Sequence, residues 1–172
     1  MRFLLISLLS LSFTSYALDF EVIGDFRNAD EIENWSIESE EQNPKANLIS
    51  ADQKALFFSN YQNQNVELTR AGNWDFSKFT HFMADVVSDG QSYNVSLTDS
   101  DGLSGDYKCV ATFKTNASAL VSTIQIPVEE FECGEKNSVL NLKSIKKVGV
   151  SPVSDLEFSL GIESFWMEKP DL

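Results

Sequence analysis

The stretch YNVSLTDSDGLSGDYKCVATFK, residues 93–114, decides the fold class. Apolar and polar side chains alternate in residues 93–98 and again in residues 107–114, which is typical of strands that bury one face. Between the two runs, Asp99-Ser100-Asp101-Gly102 and the later Gly105 are turn-forming residues. The stretch therefore predicts an antiparallel hairpin.

Further strands are predicted along the rest of the chain. Runs of the same type occupy residues 54–60, 79–87, 119–127, 144–150 and 156–168, and turn-rich clusters separate them. Short strands at this spacing predict an all-β fold, an antiparallel β-sandwich or jelly roll. Only residues 28–34 look helical, and there is no repeat or linker. We therefore expect residues 18–172 to form a single β-sandwich domain.

The first 17 residues have the composition of a secretory signal peptide. Arg2 precedes an apolar run, residues 3–13, and Ser15-Tyr16-Ala17 follows it as a small-residue cleavage motif. The run is too short to span a bilayer. We expect cleavage before Leu18 and a secreted or periplasmic product without membrane insertion.

The chain is strongly acidic. Its 13 Lys and Arg residues against 26 Asp and Glu residues give a formal net charge of −13. Such a field repels phosphate backbones and anionic lipids, so nucleic acids and membrane surfaces are excluded as expected partners. Neutral ligands, cations and a basic protein partner remain open.

Two cysteines, Cys109 and Cys133, follow the predicted cleavage site. In an oxidising compartment the simplest interpretation of an even count is one disulfide, and two free buried thiols are the alternative. No Cys-x-x-Cys pair is present, so we interpret the bond as a structural staple.

The usual catalytic motifs are missing from the sequence. His81 is the only histidine, so a nucleophile–histidine pair would have to use it, and a two-histidine metal site is excluded. The acidic stretch at residues 130–135 contains carboxylates that a retaining glycosidase could use. Its Cys133-Gly134 pair interrupts the strand alternation, and a solvated loop is the simpler interpretation. We predict that the protein is not an enzyme.

The alternation also assigns side chains to the faces of the sheets. Phe82, Ala84 and Val86 are expected to face the core. The side chains expected on the opposite side, with those of the hairpin, are His81, Met83, Asp85, Asn94, Ser96, Thr98, Lys108 and Thr112. They predict one polar sheet surface, either simply solvated or a shallow hydrogen-bonding site.

Aromatic residues are the usual platforms for sugar rings. Trp35, Trp74 and Trp166 lie in apolar stretches and are expected in the core. Tyr61, within the amide-rich residues 60–65, is expected to be exposed. It would form a hydrogen-bonding lip or part of a plain surface loop.

An ordered set of segments resembles a known family. The segments are residues 19–21, Trp35, residues 55–58, residues 74–86, residues 95–102 and residues 145–150. Together they resemble the galactose-binding-like jelly-roll carbohydrate-binding modules that accompany polysaccharide-degrading enzymes. The resemblance spans nearly the whole mature chain.

The resemblance implies an antiparallel β-sandwich that binds a glycan or polysaccharide without catalysis. Sugar contacts are then expected from Tyr61, His81, Asp85, Asn94 and Lys108. The resemblance also implies one structural calcium ion held by Glu21 and Glu163, which would join the terminal strands. The alternative is a protein-interaction or structural β-sandwich module of the cell envelope that binds no sugar.

Overall fold

The computed structural model describes residues 19–41, 44–62, 65–100, 106–134 and 139–169. These residues form β-strands and three short 3-10 helices, at Ala29–Asn34, Val128–Glu130 and Leu142–Ser144. The strands are β1 (Phe20–Asp25), β2 (Ser36–Ser39), β3 (Asn47–Ala51), β4 (Lys54–Ser59), β5 (Val66–Trp74), β6 (His81–Ser88), β7 (Ser92–Ser100), β8 (Asp106–Lys114), β9 (Ser118–Pro127), β10 (Glu132–Cys133), β11 (Ile145–Pro152) and β12 (Phe158–Glu168). The expected signal peptide and the turn residues Asp101, Gly102 and Gly105 lie outside the described residues.

The strands pair into two antiparallel sheets, so the predicted all-β sandwich is confirmed. Sheet A has the order β3-β4-β12-β6-β9, and β1 also pairs with β12. The strand β4 pairs with residues 158–162 of β12 and β1 pairs with residues 164–168, so both lie along one edge of the same strand. Sheet B has the order β10-β8-β7-β11-β5-β2.

The two strands of the predicted hairpin are neighbours in sheet B, between β10 and β11. The strands β7 and β8 pair antiparallel, with Val95 opposite Ala111 and Leu97 opposite Cys109. All four side chains are buried. The alternation in residues 93–114 therefore gave both the strands and their inward face.

The core lies between the sheets and is rich in aromatic rings. Phe82, Ala84 and Val86 are buried there, as predicted. Trp35 is also buried, with its ring centroid 5.3 Å from that of Phe26 and 5.5 Å from that of Phe165. Burial of these large rings supplies much of the hydrophobic free energy of folding.

The predicted disulfide is confirmed. Cys109 of β8 and Cys133 of β10 are bonded and lie directly opposite each other in sheet B. Since β10 has only two residues, the bond holds the edge strand of the sheet in place. None of the helices among the described residues has the length and apolar character needed to span a membrane.

Candidate functional site

The residues predicted to form one polar surface are divided between the two sheets. His81 and Asp85 lie on β6 of sheet A, whereas Asn94 and Lys108 lie on β7 and β8 of sheet B. The prediction of a single surface is wrong, because alternation shows which side of a strand is buried but not which sheet the strand joins. The outer faces of the two sheets are therefore separate candidate sites.

Tyr61 belongs to neither face. It follows β4, its side chain is 52% exposed, and the Lys45 ammonium lies 4.4 Å from its ring centroid. Its exposure agrees with the sequence prediction. A contact between Tyr61 and a sugar remains a prediction.

Three rows of outward side chains cross β1, β12, β6 and β9 on the outer face of sheet A. The rows are Asp25, Ser164, Asp85 and Thr123; then Val22, Trp166, Met83 and Gln125; then Phe20, Glu168, His81 and Pro127. Residues in one row are cross-strand partners, and successive rows lie two residues apart along β12. The middle row is largely apolar, and each outer row contains a carboxylate from β6 or β12.

A groove of about 350 Å³ lies over these rows and is called here the Trp166 groove. Its lining includes Phe20, Val22, Asp85, Ser164, Trp166 and Glu168. Phe20 and Val22 are 56% and 50% exposed, which is unusual for large apolar side chains on a sheet. The groove thus combines an apolar floor with polar groups.

Trp166 was expected in the core, and the structure corrects this prediction. Phe165 and Met167 are buried between the sheets, so the alternation of β12 places Trp166 on the outer face, where it is partly exposed. Its indole Nε1 donates to Glu168 Oε2 at 3.1 Å. The sequence signal was the run of apolar residues on both faces of β12, which indicates a strand with two apolar surfaces.

The Asp85 carboxylate of the groove accepts from two uncharged side chains, whereas neighbouring Asp25 pairs with an arginine. Thr123 Oγ1 donates to Asp85 at 2.6 Å, and Ser164 Oγ donates to the same carboxylate at 3.4 Å. Arg27, which also lines the groove, donates to both oxygens of Asp25 at 2.6 and 3.0 Å. This hydrogen-bonded pair lowers the pKa of Asp25 and raises the pKa of Arg27.

The outer face of sheet B is polar, and its side chains bind one another. Glu67 lies across Gly149, where a Cβ atom would collide with it, and accepts from Ser96 Oγ at 2.5 Å and Lys108 Nζ at 2.7 Å. Thr112 Oγ1 donates to Asn94 Oδ1 at 2.7 Å. The five polar residues present no aromatic ring, and each takes part in one of these hydrogen bonds.

A second ion pair on the same face joins β2 to β11. Lys147 Nζ donates to both oxygens of Glu38 at 2.8 and 2.9 Å, and Thr69 Oγ1 donates to Glu38 at 3.0 Å. The hydrogen bond from Lys147 is the main cause that lowers the pKa of Glu38. The pair stabilises the edge of sheet B.

The residues expected to hold calcium lie apart in the strand register. Glu21 is opposite Met167, four positions beyond Glu163 in β12. Glu163 Oε1 accepts from Lys54 Nζ at 3.2 Å. Within the described part of the chain, no group of three or more His, Cys, Asp or Glu residues is placed to hold a metal. Calcium binding stays a prediction.

In the acidic stretch considered for catalysis, the glutamates that the structure describes are exposed. Glu130 and Glu132 are both on the surface, and Cys133 is used in the disulfide. Glu135 lies outside the described residues.

The comparison with family models identifies the chain. The model of Complex I intermediate-associated protein 30 (CIA30) matches residues 48–162. The chain belongs to the CIA30 family. No curated protein sequence matches this CIA30-family chain.

Solved structures show that this CIA30-family chain has the fold of carbohydrate-binding modules. A family 11 carbohydrate-binding module from Clostridium thermocellum, in complex with a β-1,3-1,4-mixed-linked tetrasaccharide, matches with a TM-score of 0.70 and 16% identity over 89% of this chain and 97% of that one. The family 11 module of the cellulosomal cellulase Lic26A-Cel5E of the same organism matches with a TM-score of 0.71 and 15% identity, over 90% and 96%. An agarase matches with a TM-score of 0.64 and 12% identity over 89% of this chain but 25% of the agarase.

These similarities confirm the resemblance to jelly-roll carbohydrate-binding modules at the level of the fold. The matches that cover most of both chains are carbohydrate-binding modules, which fits the expectation that the protein is not an enzyme. The disulfide and the fold are consistent with an extracellular location. A basic protein partner, which the net charge left open, has no support from these comparisons.

Proposed function

We propose that this CIA30-family protein is an exported, non-catalytic glycan-binding protein that holds sugar rings in the Trp166 groove. The observation that carries the proposal is the Trp166 indole, flanked along β12 and β6 by rows that contain Asp85 and Glu168. The apolar face of a pyranose ring packs on an indole, and carboxylates at the rim accept from sugar hydroxyl groups. Glycan binding by the protein whose structure contains a tetrasaccharide adds weight to this assignment.

The groove is favoured over the outer face of sheet B for a physical reason. On sheet B, the carboxylate of Glu67 already accepts from Ser96 and Lys108, so a sugar would have to displace these bonds. In the groove, the apolar face of the Trp166 ring makes no hydrogen bond that a ligand would have to displace, and covering it removes apolar surface from water.

The spacing of the groove carboxylates favours binding over hydrolysis. Asp85 is opposite Ser164, and Glu168 lies four residues further along β12, so the two rows are about 13 Å apart along the strand. Glycosidases place their two carboxyl groups about 5 to 9.5 Å apart.

The first test is a polysaccharide array followed by calorimetric titration of the glycan that binds. Trp166→Ala is expected to weaken binding about 30-fold or more, because truncating a central aromatic anchor costs at least ~2 kcal/mol. Phe20→Ser, at a side chain that is 56% exposed, is expected to weaken binding with little effect on folding. Lys108→Gln, on the outer face of sheet B, is the control and should bind normally.

Two results would contradict the proposal. Loss of affinity in Lys108→Gln with normal affinity in both groove variants would move the sugar to sheet B. An array without any bound glycan, obtained with folded protein, would remove the sugar-binding function.

The name of the family supports a second candidate function. The family model is described as an intermediate-associated protein, and the exposed Phe20 and Val22 would suit a protein contact as well as a sugar. Under this alternative, the protein is an interaction module that binds no glycan. Pull-down of a partner that is lost in Phe20→Ser, together with a silent array, would favour it.

A further inference from the structure

The Trp166 groove has an excess of negative charge. Asp85 and Glu168 take part in none of the ion pairs that the described residues form. The guanidinium of Arg27 is held by both oxygens of Asp25. His81 lies opposite Glu168 and is the only histidine of the chain. A ligand in the groove therefore meets two carboxylates that form none of these ion pairs, although Arg27, bound to Asp25, also interacts electrostatically with Asp85.

A neutral sugar can donate its hydroxyl groups to these carboxylates, but it leaves their negative charge uncompensated. An ammonium group on the sugar would form a charge-assisted hydrogen bond with either carboxylate. We propose that the groove prefers glycans with free amino groups, of the glucosamine type, over neutral glycans, and that it rejects uronic acid and sulfated glycans. This inference rests on the proposed function, because it assigns a class of sugar to the same groove.

The arrangement of the rows explains how one ring can use both features. With a ring stacked on Trp166, a substituent directed along β12 reaches the row of Asp85 in one direction and the row of Glu168 in the other. An ammonium group can therefore find a carboxylate in either orientation of the sugar chain. The indole face adds a favourable interaction with the cation itself.

The test compares four short oligosaccharides with the mature protein at mildly acidic pH, where the amine is protonated. The probes are a glucosamine tetramer, its N-acetylated form, cellotetraose and a galacturonic acid tetramer, each titrated by calorimetry. The glucosamine tetramer is expected to bind about tenfold more tightly than cellotetraose, since each screened charge pair contributes modestly. The uronic acid tetramer is expected not to bind.

Variants separate the groove from the general field of an acidic protein. Asp85→Asn combined with Glu168→Gln retains acceptor oxygens but removes both charges. This variant should bind the glucosamine tetramer and cellotetraose with about equal affinity. Asp155→Asn combined with Glu157→Gln is the matched control. Both control residues are exposed and precede β12, at the opposite end of the strand from Glu168. This control should keep the preference.

The outcomes distinguish a failure of this inference from a failure of the proposed function. Equal binding of the glucosamine tetramer and cellotetraose would overturn the inference and leave the proposed function intact. An amine preference that survives in the groove variant, or is lost equally in the control, would also overturn it, because the protein field alone would then attract the cation. A failure of all probes, with an array that is also silent, would overturn the proposed function as well.

Discussion

Asp99 is a buried carboxylate at the end of β7, with 1% of its surface exposed. One carboxylate oxygen accepts from the backbone N–H of Asn141, and the other has no hydrogen-bond partner among the described residues. Ser144 Oγ donates to the carbonyl of neighbouring Ser100 at 2.9 Å. These two bonds attach the segment before β11 to the sandwich.

Replacing Asp99 tests the importance of this attachment. Asp99→Ala should lower the free energy of unfolding by about 1–3 kcal/mol, because the Asn141 N–H loses its acceptor in a partly buried site. Asp99→Asn retains an acceptor and should stay within about 1 kcal/mol of the wild type. Urea unfolding measures both. Equal losses in the two variants would show that the charge, and not the hydrogen bond, is what matters.

The Glu38–Lys147 ion pair predicts how stability depends on pH. The pKa of Glu38 in the folded protein lies below the ordinary value of 4.5. The pair therefore stabilises the fold fully above pH 4.5, and this stabilisation is lost as the pH falls through the folded pKa of Glu38. Compared with Glu38→Gln, the wild type should be more stable at neutral pH by less than about 1 kcal/mol, because the pair is partly exposed.

The difference between these two proteins should vanish once the pH lies below the folded pKa of Glu38, where Glu38 is protonated in both the folded and unfolded states. Denaturant unfolding at a series of pH values measures it. A difference that stays constant, or grows as the pH falls, would contradict the assigned pKa direction.

Among the elements, β10 depends most on a covalent bond. Its two residues pair with β8 at Val110 and Cys109, and the disulfide closes a sequence separation of 24 residues. Replacing both cysteines by serine should lower the free energy of unfolding by about 3 kcal/mol, mainly through the greater entropy of the unfolded chain. Chemical denaturation and amide exchange of β8 measure the effect. A loss below about 1 kcal/mol, with unchanged exchange in β8, would show that β10 is held by packing.

The sequence predicted some elements better than others. The predicted runs correspond to β4, β6, β7, β8, β9, β11 and β12, all of which alternate over several residues. The edge strands β2 and β3 were missed because each has four or five residues and little burial, and the nine-residue strand β5 was missed as well. In β1, a register shift between Val22 and Gly24 interrupts the alternation.

Only part of the candidate site could be predicted, because its residues come from different strands. Asp85 was predicted from alternation within one strand, and the structure places it in the Trp166 groove. The neighbours of Asp85 in the groove come from β1 and β12, at opposite ends of the domain sequence. Strand order is a non-local property, so the pattern of any one strand could not bring Phe20, Asp85 and Trp166 together.

At the scale of the whole molecule, the strand nearest the end of the described chain lies at the centre of sheet A. β12 pairs with β6 on one side and with β4 and β1 on the other. Phe20 is opposite Glu168, so this pairing joins residues from the two ends of the sandwich. The groove proposed for sugar binding is built at this junction.

The central position of β12 also determines when the sheet can assemble. Without β12, the pair β3–β4, the pair β6–β9 and the strand β1 have no connection within sheet A. A chain that becomes available for folding from its N-terminus onward can therefore form sheet B before sheet A is complete. Loop closure over the whole domain must precede the last contacts, which slows folding. The Trp166 groove exists only when β1 and β6 are both paired with β12, so a ligand bound there would report that this part of sheet A is assembled.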